Sequence, residues 1–357
     1  MTTAWTAADV ARIDLAGTPR VPPIDRADRS SLAPDRLYWD MWPVQDSSGH
    51  KARIAGGELW MALTAPDRGD PALRHFEARI HWLERHDGGW FDLGAVLPDL
   101  PVPYEREWAG SALWEENGLA LYLTGAGIVT RPGGYQQRLC ESYAVFGPDG
   151  MPRHWTPPKR SLTEQGRWYM PADAHEGAAG RIKAMRDPAH FRDPADGSEY
   201  LVFTASLAGS ASDYNGAVGI ARRTAQGWEP LPPLVHADTV NNELERAHMV
   251  FHQGRYYLFW VTQRSTFAPE LRHAPTGLYG MVADSLRAEY RPLNGSGLVL
   301  ANPDTQPSQC YSWFVSAELE VSSFVDAHAG GFGGVPAPLL RLAIDGDRCT
   351  LAEELVA

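Results

Sequence analysis

Three segments of the chain repeat one design: "ENGLALYLTG" (116–125), "ADGSEYLVFTAS" (195–206) and "HQGRYYLFWVT" (252–262). Each is a polar turn containing glycine followed by a short aromatic and β-branched run, the signature of a hairpin turn feeding a strand. The runs "GELWMALT", "HFEARIHWLE", "GAVGIARR", "TGLYGMVA" and "PLLRLAID" read as further strands. Helical periodicity is confined to "TAADVARID" and "DSLRAEY". Grouped short strands suit a sandwich or a propeller, and recurrence of the turn–strand unit every several tens of residues favours the propeller. The 34 glycines and 28 prolines supply the frequent turns such a fold needs. No composition break marks a second domain. Residues 1–35 are expected to form an arm packed on a single all-β body over 36–357, and 147–180, rich in Pro, Gly and charge, reads as an insertion or rim loop.

A length of 357 residues fits two ordinary domains or one large all-β domain. The formal charge of -12 argues against a nucleic-acid partner or an anionic membrane and leaves a neutral small molecule open. Cys140, Cys310 and Cys349 have no CxxC spacing, so buried free thiols are expected rather than a disulfide framework or a thiolate metal site. The amino-terminal residues show no basic head with a continuous apolar stretch, hence no visible signal peptide, and no apolar run is long enough to span a bilayer.

Three acidic positions have neighbours that would control their charge. Asp40 lies in "YWDMWP", where Trp39 and Trp42 offer flat apolar walls to a sugar ring; the alternative is a turn-capping aspartate among core tryptophans. Asp187, in "AMRDPAHF", follows Arg186, whose permanent charge favours an ionised carboxylate. The nearby copy at Arg192–Asp193–Pro194 runs into the turn signal "ADG", so Asp193 reads as a loop residue. In "NNELERAHMVFHQG" an extended chain would put Glu243 and Glu245 on one face and Leu244, Arg246 and His248 on the other. Mutual repulsion would raise one glutamate's pKa, as a general acid requires; a solvated polar face is the alternative. One nucleophilic and one protonated carboxyl flanking an acetal oxygen suffice for retaining glycoside hydrolysis or transfer. The chain has no GxSxG elbow, HExxH, P-loop or dinucleotide fingerprint.

These residues resemble a known family, the levansucrases, inulosucrases and β-fructofuranosidases of glycoside hydrolase family sixty-eight. The motifs "YWDMWPV" (38–44), "REWAGSA" (106–112), "MRDPAHF" (185–191), "NNELERAHMVF" (241–251), "LFWVTQRSTFA" (258–268) and "RPLNGSGLVLANPDTQPSQCYSW" (291–313) occur in the family order. The resemblance implies a five-bladed β-propeller with a central pocket. It implies Asp40 as nucleophile, Glu245 as general acid/base and Asp187 as transition-state stabiliser. Arg186, Glu243 and Arg246 match sugar-binding positions, Trp39 and Trp108 match aromatic walls, and Tyr311 matches a tyrosine behind them. The implied activity is a sucrose-active retaining fructosyltransferase with sugar acceptors or water as partners and no cofactor. Its alternatives are a hydrolysis-dominant β-fructofuranosidase and, more distantly, a β-fructoside-binding propeller without turnover. The family relation suggests an extracellular enzyme, whereas the missing signal peptide fits the cytoplasm.

The chain departs from the family pattern at several places. Trp108-Ala109-Gly110 stands where Trp-Ser-Gly is usual, so the hydroxyl beside the nucleophile would have to come from Ser111 or water. Gln263, followed by Arg264, stands where many members carry His or Arg on the acceptor side. Trp313 replaces the His of a "YSH" motif, and Asn242 replaces an aspartate ligand of calcium-binding members, so no metal site is expected.

Overall fold

The computed structural model describes residues 2–24, 32–54, 56–86, 89–163, 166–177, 181–328 and 330–352. The chain winds into a five-bladed β-propeller whose blades are antiparallel meanders taken in sequence order. The first blade runs through Arg36–Gln45, Gly57–Pro66, Arg79–His86 and Gly89–Ala95. The second has Arg106–Glu115, Gly118–Ala126 and Gln137–Phe146, and the third Met185–Arg192, Glu199–Ser206, Gly216–Thr224 and Gly227–His236. Glu245–His252, Arg255–Thr262, Gly277–Ala283 and Leu298–Ala301 build the fourth. The fifth is Cys310–Val315, Glu320–His328, Gly331–Pro336, Leu340–Asp345 and Arg348–Leu351. The first strand of each blade lies innermost, and those of the first two blades meet as a short parallel pair, Val44 with Ala112 and Gln45 with Leu113.

Middle strands are apolar without alternation because both of their faces are covered, as in other sheets packed on two sides. Along Glu199–Ser206, Leu201 and Phe203 pack toward the second blade with Leu139 and Tyr122, while Val202 packs with Leu258 and Trp260 of the fourth. Tyr257 and Phe259 turn the other way, into a core shared with Phe314 and Trp313 of the fifth blade. Continuous aromatic runs are therefore what a blade sandwiched between two neighbours requires.

The expected strands form, except that "HFEARIHWLE" begins in a short helical segment, Pro71–Phe76, and is a strand only from Arg79. "TAADVARID" gives a single helical turn, Ala7–Val10, closed by a capping box between Thr6 and Asp9. "DSLRAEY" does not become a helix: 284–290 follow the edge of the fourth blade as turns. Among the described residues near the amino terminus, Thr3–Ala4 pairs in parallel with Val235–His236 and adds a fifth strand to the third blade. Trp5 is buried there, its indole donating to the Ser296 carbonyl at 2.9 Å. Part of the stretch assigned to an arm, 25–31, lies outside the described residues, as do 164–165, 178–180 and 353–357. The 147–180 segment includes Pro152–Arg153 and Lys159–Arg160, both paired to Gln137–Phe146, and buries Trp155, Leu162 and Tyr169. Cys140, Cys310 and Cys349 are buried free thiols.

Candidate active site

Every innermost strand breaks its ladder at one level. The register shifts between Trp39 and Trp42, Trp108 and Ser111, Arg186 and Ala189, Glu245 and His248, and Tyr311 and Phe314. These are β-bulges, which put two residues opposite one and re-aim a side chain. In four of the five strands the first bulged residue adopts a left-handed backbone: Asp40 (φ 45), Asp187 (φ 58), Arg246 (φ 50) and Ser312 (φ 60). An ordinary residue there costs about 1–3 kcal/mol and is retained where the surrounding structure enforces it. In the second blade the equivalent residue, Ala109, is not left-handed, and the next one, Gly110, lets the adjoining strand come close: an added Cβ would lie 1.9 Å from the Tyr122 carbonyl oxygen.

A regular strand sends consecutive side chains to opposite faces, but the bulge lets two successive residues look into the channel. The pairs Trp39–Asp40, Arg186–Asp187, Glu245–Arg246 and Tyr311–Ser312 do so, joined by Trp108. This corrects the expectation for 241–251. Arg246 does not point away from Glu245 but shares its cavity, and the strand begins only at Glu245, leaving Glu243 in the approach to it.

The cavity holds about 350 Å³. Asp40, Asp187, Glu245, Trp39, Trp108, Arg186, Glu243, Arg246, Gln263 and Tyr311, the ten residues singled out in the sequence, all line it. Arg264 does not; its guanidinium donates to the Arg272 carbonyl at 2.5 Å. Asp193 lies at the opposite end of its strand, accepting from the Tyr256 hydroxyl at 2.6 Å. Arg74, His75, Phe76, Ser312, Phe324 and Asp326 also line the cavity and carry no sequence signal that would have singled them out.

Burial pushes the Asp40 carboxyl above its ordinary value, while the Arg246 guanidinium and the Ser312 hydroxyl draw it back. Arg246 in turn donates to the Ser312 hydroxyl at 2.7 Å and to the Met41 carbonyl at 3.0 Å. The hydroxyl absent at Ala109 is thus supplied from the fifth blade. Ser111 is occupied elsewhere, accepting from the His190 amide at 2.9 Å.

Asp187 accepts from the Thr204 hydroxyl at 2.9 Å and the Arg246 amide at 3.3 Å. Burial lifts it to about 6 against the opposing charge of Arg186. Glu245 accepts from Arg186 at 2.6 Å and from the Tyr311 hydroxyl. Arg186 also reaches Glu243 at 3.2 Å. Burial first, then the charge of Glu245, raises Glu243 to about 8, so the elevated glutamate is Glu243. Burial and the cations Arg74, Arg106 and Arg186 depress His75 to about 3, leaving a neutral imidazole in the wall.

Among the described residues no cluster of His, Cys, Asp and Glu is arranged to hold a metal ion. At Asn242 the side-chain oxygen accepts from the Lys183 ammonium at 3.1 Å, and that ammonium also meets the Asp213 carbonyl at 2.7 Å and Asn215 at 2.8 Å.

A five-bladed propeller whose axial pocket combines paired carboxylates, buried guanidinia and indole walls defines a carbohydrate-active propeller of the glycoside-processing class. The chain belongs to glycoside hydrolase family 68, levansucrase/invertase, whose model matches residues 1–215 and 209–356. It is 31% identical to levansucrase LscB of Pseudomonas savastanoi pv. glycinea, covering 99% of this chain and 91% of that protein. An inulosucrase from Halalkalicoccus jeotgali, solved bound to kestose, is 36% identical with a TM-score of 0.89, covering 98% of this chain and 95% of that one. The full-length β-fructofuranosidase from Microbacterium saccharophilum K-1 is 25% identical with a TM-score of 0.83, over 99% and 83% of the two chains.

Proposed function

We propose that this protein is a retaining fructosyltransferase that cleaves sucrose through a covalent fructosyl-enzyme and passes the fructosyl unit to a sugar hydroxyl or to water. One observation carries the reading: Asp40 and Glu245, from different blades, face one small cavity, each held by a cation and a hydroxyl, Arg246 and Ser312 for Asp40, Arg186 and Tyr311 for Glu245, with a second glutamate, Glu243, set against Glu245 alone. Family membership and the levansucrase and inulosucrase relatives support sucrose as donor. Kestose, the ligand of the inulosucrase, is sucrose bearing one more fructosyl unit, the kind of product transfer makes.

In the first step an Asp40 oxygen attacks the fructosyl anomeric carbon, the bond to the glucosyl oxygen breaks, and Glu245 gives that oxygen its proton. Glucose departs. Glu243, buried with the charge of Glu245 against it, retains a proton in neutral solution beside the carboxyl that must deliver one. Asp187, fixed by Thr204 and the Arg246 amide, holds fructosyl hydroxyls and offsets the oxocarbenium-like charge. Trp39 and Trp108 wall the ring. In the second step Glu245 takes a proton from the acceptor hydroxyl, which attacks the same carbon, frees Asp40 and restores the configuration.

Incubation with concentrated sucrose, following free glucose, free fructose and the size of remaining carbohydrate, tests this. Glucose in excess of fructose establishes transfer; equal release makes the protein an invertase. Release of neither overturns sucrose as donor. Asp40→Asn should abolish turnover, by about 10⁴-fold or more, while sucrose binding by calorimetry stays within a few fold.

A further inference from the structure

Two charged groups in the cavity wall have no role in the mechanism above and no adequate partner among the described residues. Asp326 lies in Glu320–His328, where the register with Gly331–Pro336 shifts between Val325 and Ala327. Its amide donates to the Gln309 carbonyl at 2.8 Å, and strand alternation aims its side chain into the cavity together with that of Phe324 two residues earlier, the extra residue of the irregularity lying in the partner strand. Among the described residues its carboxylate takes part in no hydrogen bond or ion pair. Arg74 comes from the short helical segment Pro71–Phe76. Its guanidinium is sandwiched 4.3 Å from the Phe332 ring and 5.5 Å from Trp39, donates once, to the Pro71 carbonyl at 2.6 Å, and leaves a buried Nε without a partner.

Opposite charges on one wall would ordinarily close on each other, since a buried charge left unpaired costs more than a paired one. Here the Phe332–Trp39 sandwich holds the guanidinium and the strand, anchored at the Gln309 carbonyl, holds the carboxylate, so both remain available to a guest. A carboxylate that only accepts and a guanidinium that only donates match two neighbouring hydroxyls of a sugar. The charges acting on Asp326 are those of Arg74 and Asp40, with neither Glu243 nor Glu245 among them, which puts the pair on the nucleophile's side of the cavity.

We propose that Asp326 and Arg74 form a hydroxyl-recognition pair for the fructosyl unit seated on Asp40, and so are specificity-determining residues for the donor sugar. This rests on the fructosyltransferase reading for the identity of the sugar, and direct binding separates the two. Calorimetric titration of the full chain with fructose and with glucose is compared for the parent, Asp326→Ala, Asp326→Asn and Arg74→Leu, alongside kcat/KM on sucrose and thermal melting. Loss of one charge-assisted hydrogen bond weakens fructose binding and kcat/KM by about 10- to 100-fold in each variant, with glucose binding changed less than about twofold. Asp326→Ala should melt no lower than the parent, because a half-buried charge without a hydrogen-bond or ion-pair partner among the described residues has been removed. The double variant should lose less than the product of the single losses, as for two groups gripping one ligand. Unchanged fructose binding overturns the pair, as does an equal loss of both sugars with a lowered melting temperature. A parent that binds fructose selectively but releases no glucose from sucrose overturns the enzyme reading while the variants still test the pair; a parent that binds neither sugar overturns both.

Discussion

Glu243 and Glu245 show how two identical side chains, two positions apart, meet different surroundings. Glu245 is exposed to the cavity and tethered by Arg186 and Tyr311, whereas Glu243 is buried, with the charge of Glu245 against it. Deprotonating the pair must then place a second negative charge in a dry site, which burial and repulsion defer to about pH 8. The alkaline limb of kcat/KM on sucrose is expected near that value. Glu243→Gln removes the repulsion that keeps the last proton on the pair, so the limb should move to lower pH, by about one pH unit or more, which a kcat/KM profile on sucrose would register. The shift is toward acid because the proton kept to about pH 8 is held by Glu243, and glutamine holds none.

At the scale of the element, the bulge is the unit from which the site is made. It is repeated around the axis with different residues: Asp40, Asp187, Arg246 and Ser312 at its left-handed position, and Gly110 where the backbone of the adjoining strand comes close. A methyl group at Gly110 would meet the Tyr122 carbonyl oxygen and the Leu123 Cα at 1.9 and 2.8 Å, both of them backbone atoms that cannot swing away. Gly110→Ala must therefore push apart the first two strands of the second blade and displace Trp108. The expected cost is about 1–3 kcal/mol or more, read in denaturant unfolding, with a rise in KM for sucrose as the indole wall moves. Ala109→Ser is a useful contrast, because its backbone already tolerates a side chain.

At the scale of the whole molecule, a propeller has to close, and this one does so with charge as well as apolar packing. Lys51, between the first two strands of the first blade, reaches Glu58 of its own blade at 2.8 Å and Glu320 of the fifth, with all three side chains nearly buried. Burial alone would raise Glu58, and the hydrogen bond and charge of Lys51, the Trp60 indole and the charge of Arg85 together more than offset it, so its pKa is lowered. A carboxyl whose folded pKa is depressed gives stability that is present above the unfolded value and lost as pH falls through the folded one. The closure should accordingly weaken in acid below about pH 4.5. Lys51→Ala leaves two buried carboxylates facing each other across the seam, at a cost of about 3 kcal/mol. Urea unfolding at neutral pH measures it, and the deficit should shrink in acid as Glu58 protonates.

The sequence by itself determined the all-β class, the repeated turn–strand unit and the family, because middle strands covered on both faces must be continuously apolar and glycine must mark their turns. It also led to Asp40, Asp187 and Glu245, since each sits in a local cluster of indoles, arginine or a second carboxylate that is legible within a few residues. Only the tertiary structure could decide that Arg246 shares the cavity with Glu245. Strand alternation argues against it, and the bulge that overrides alternation depends on the neighbouring strand. The same holds for Ser312 in the role expected of Ser111, and for Arg74 and Asp326. These come from blades distant in the chain, and their meaning lies in which unpaired atoms are brought to face one another, a relation that closure of the ring creates.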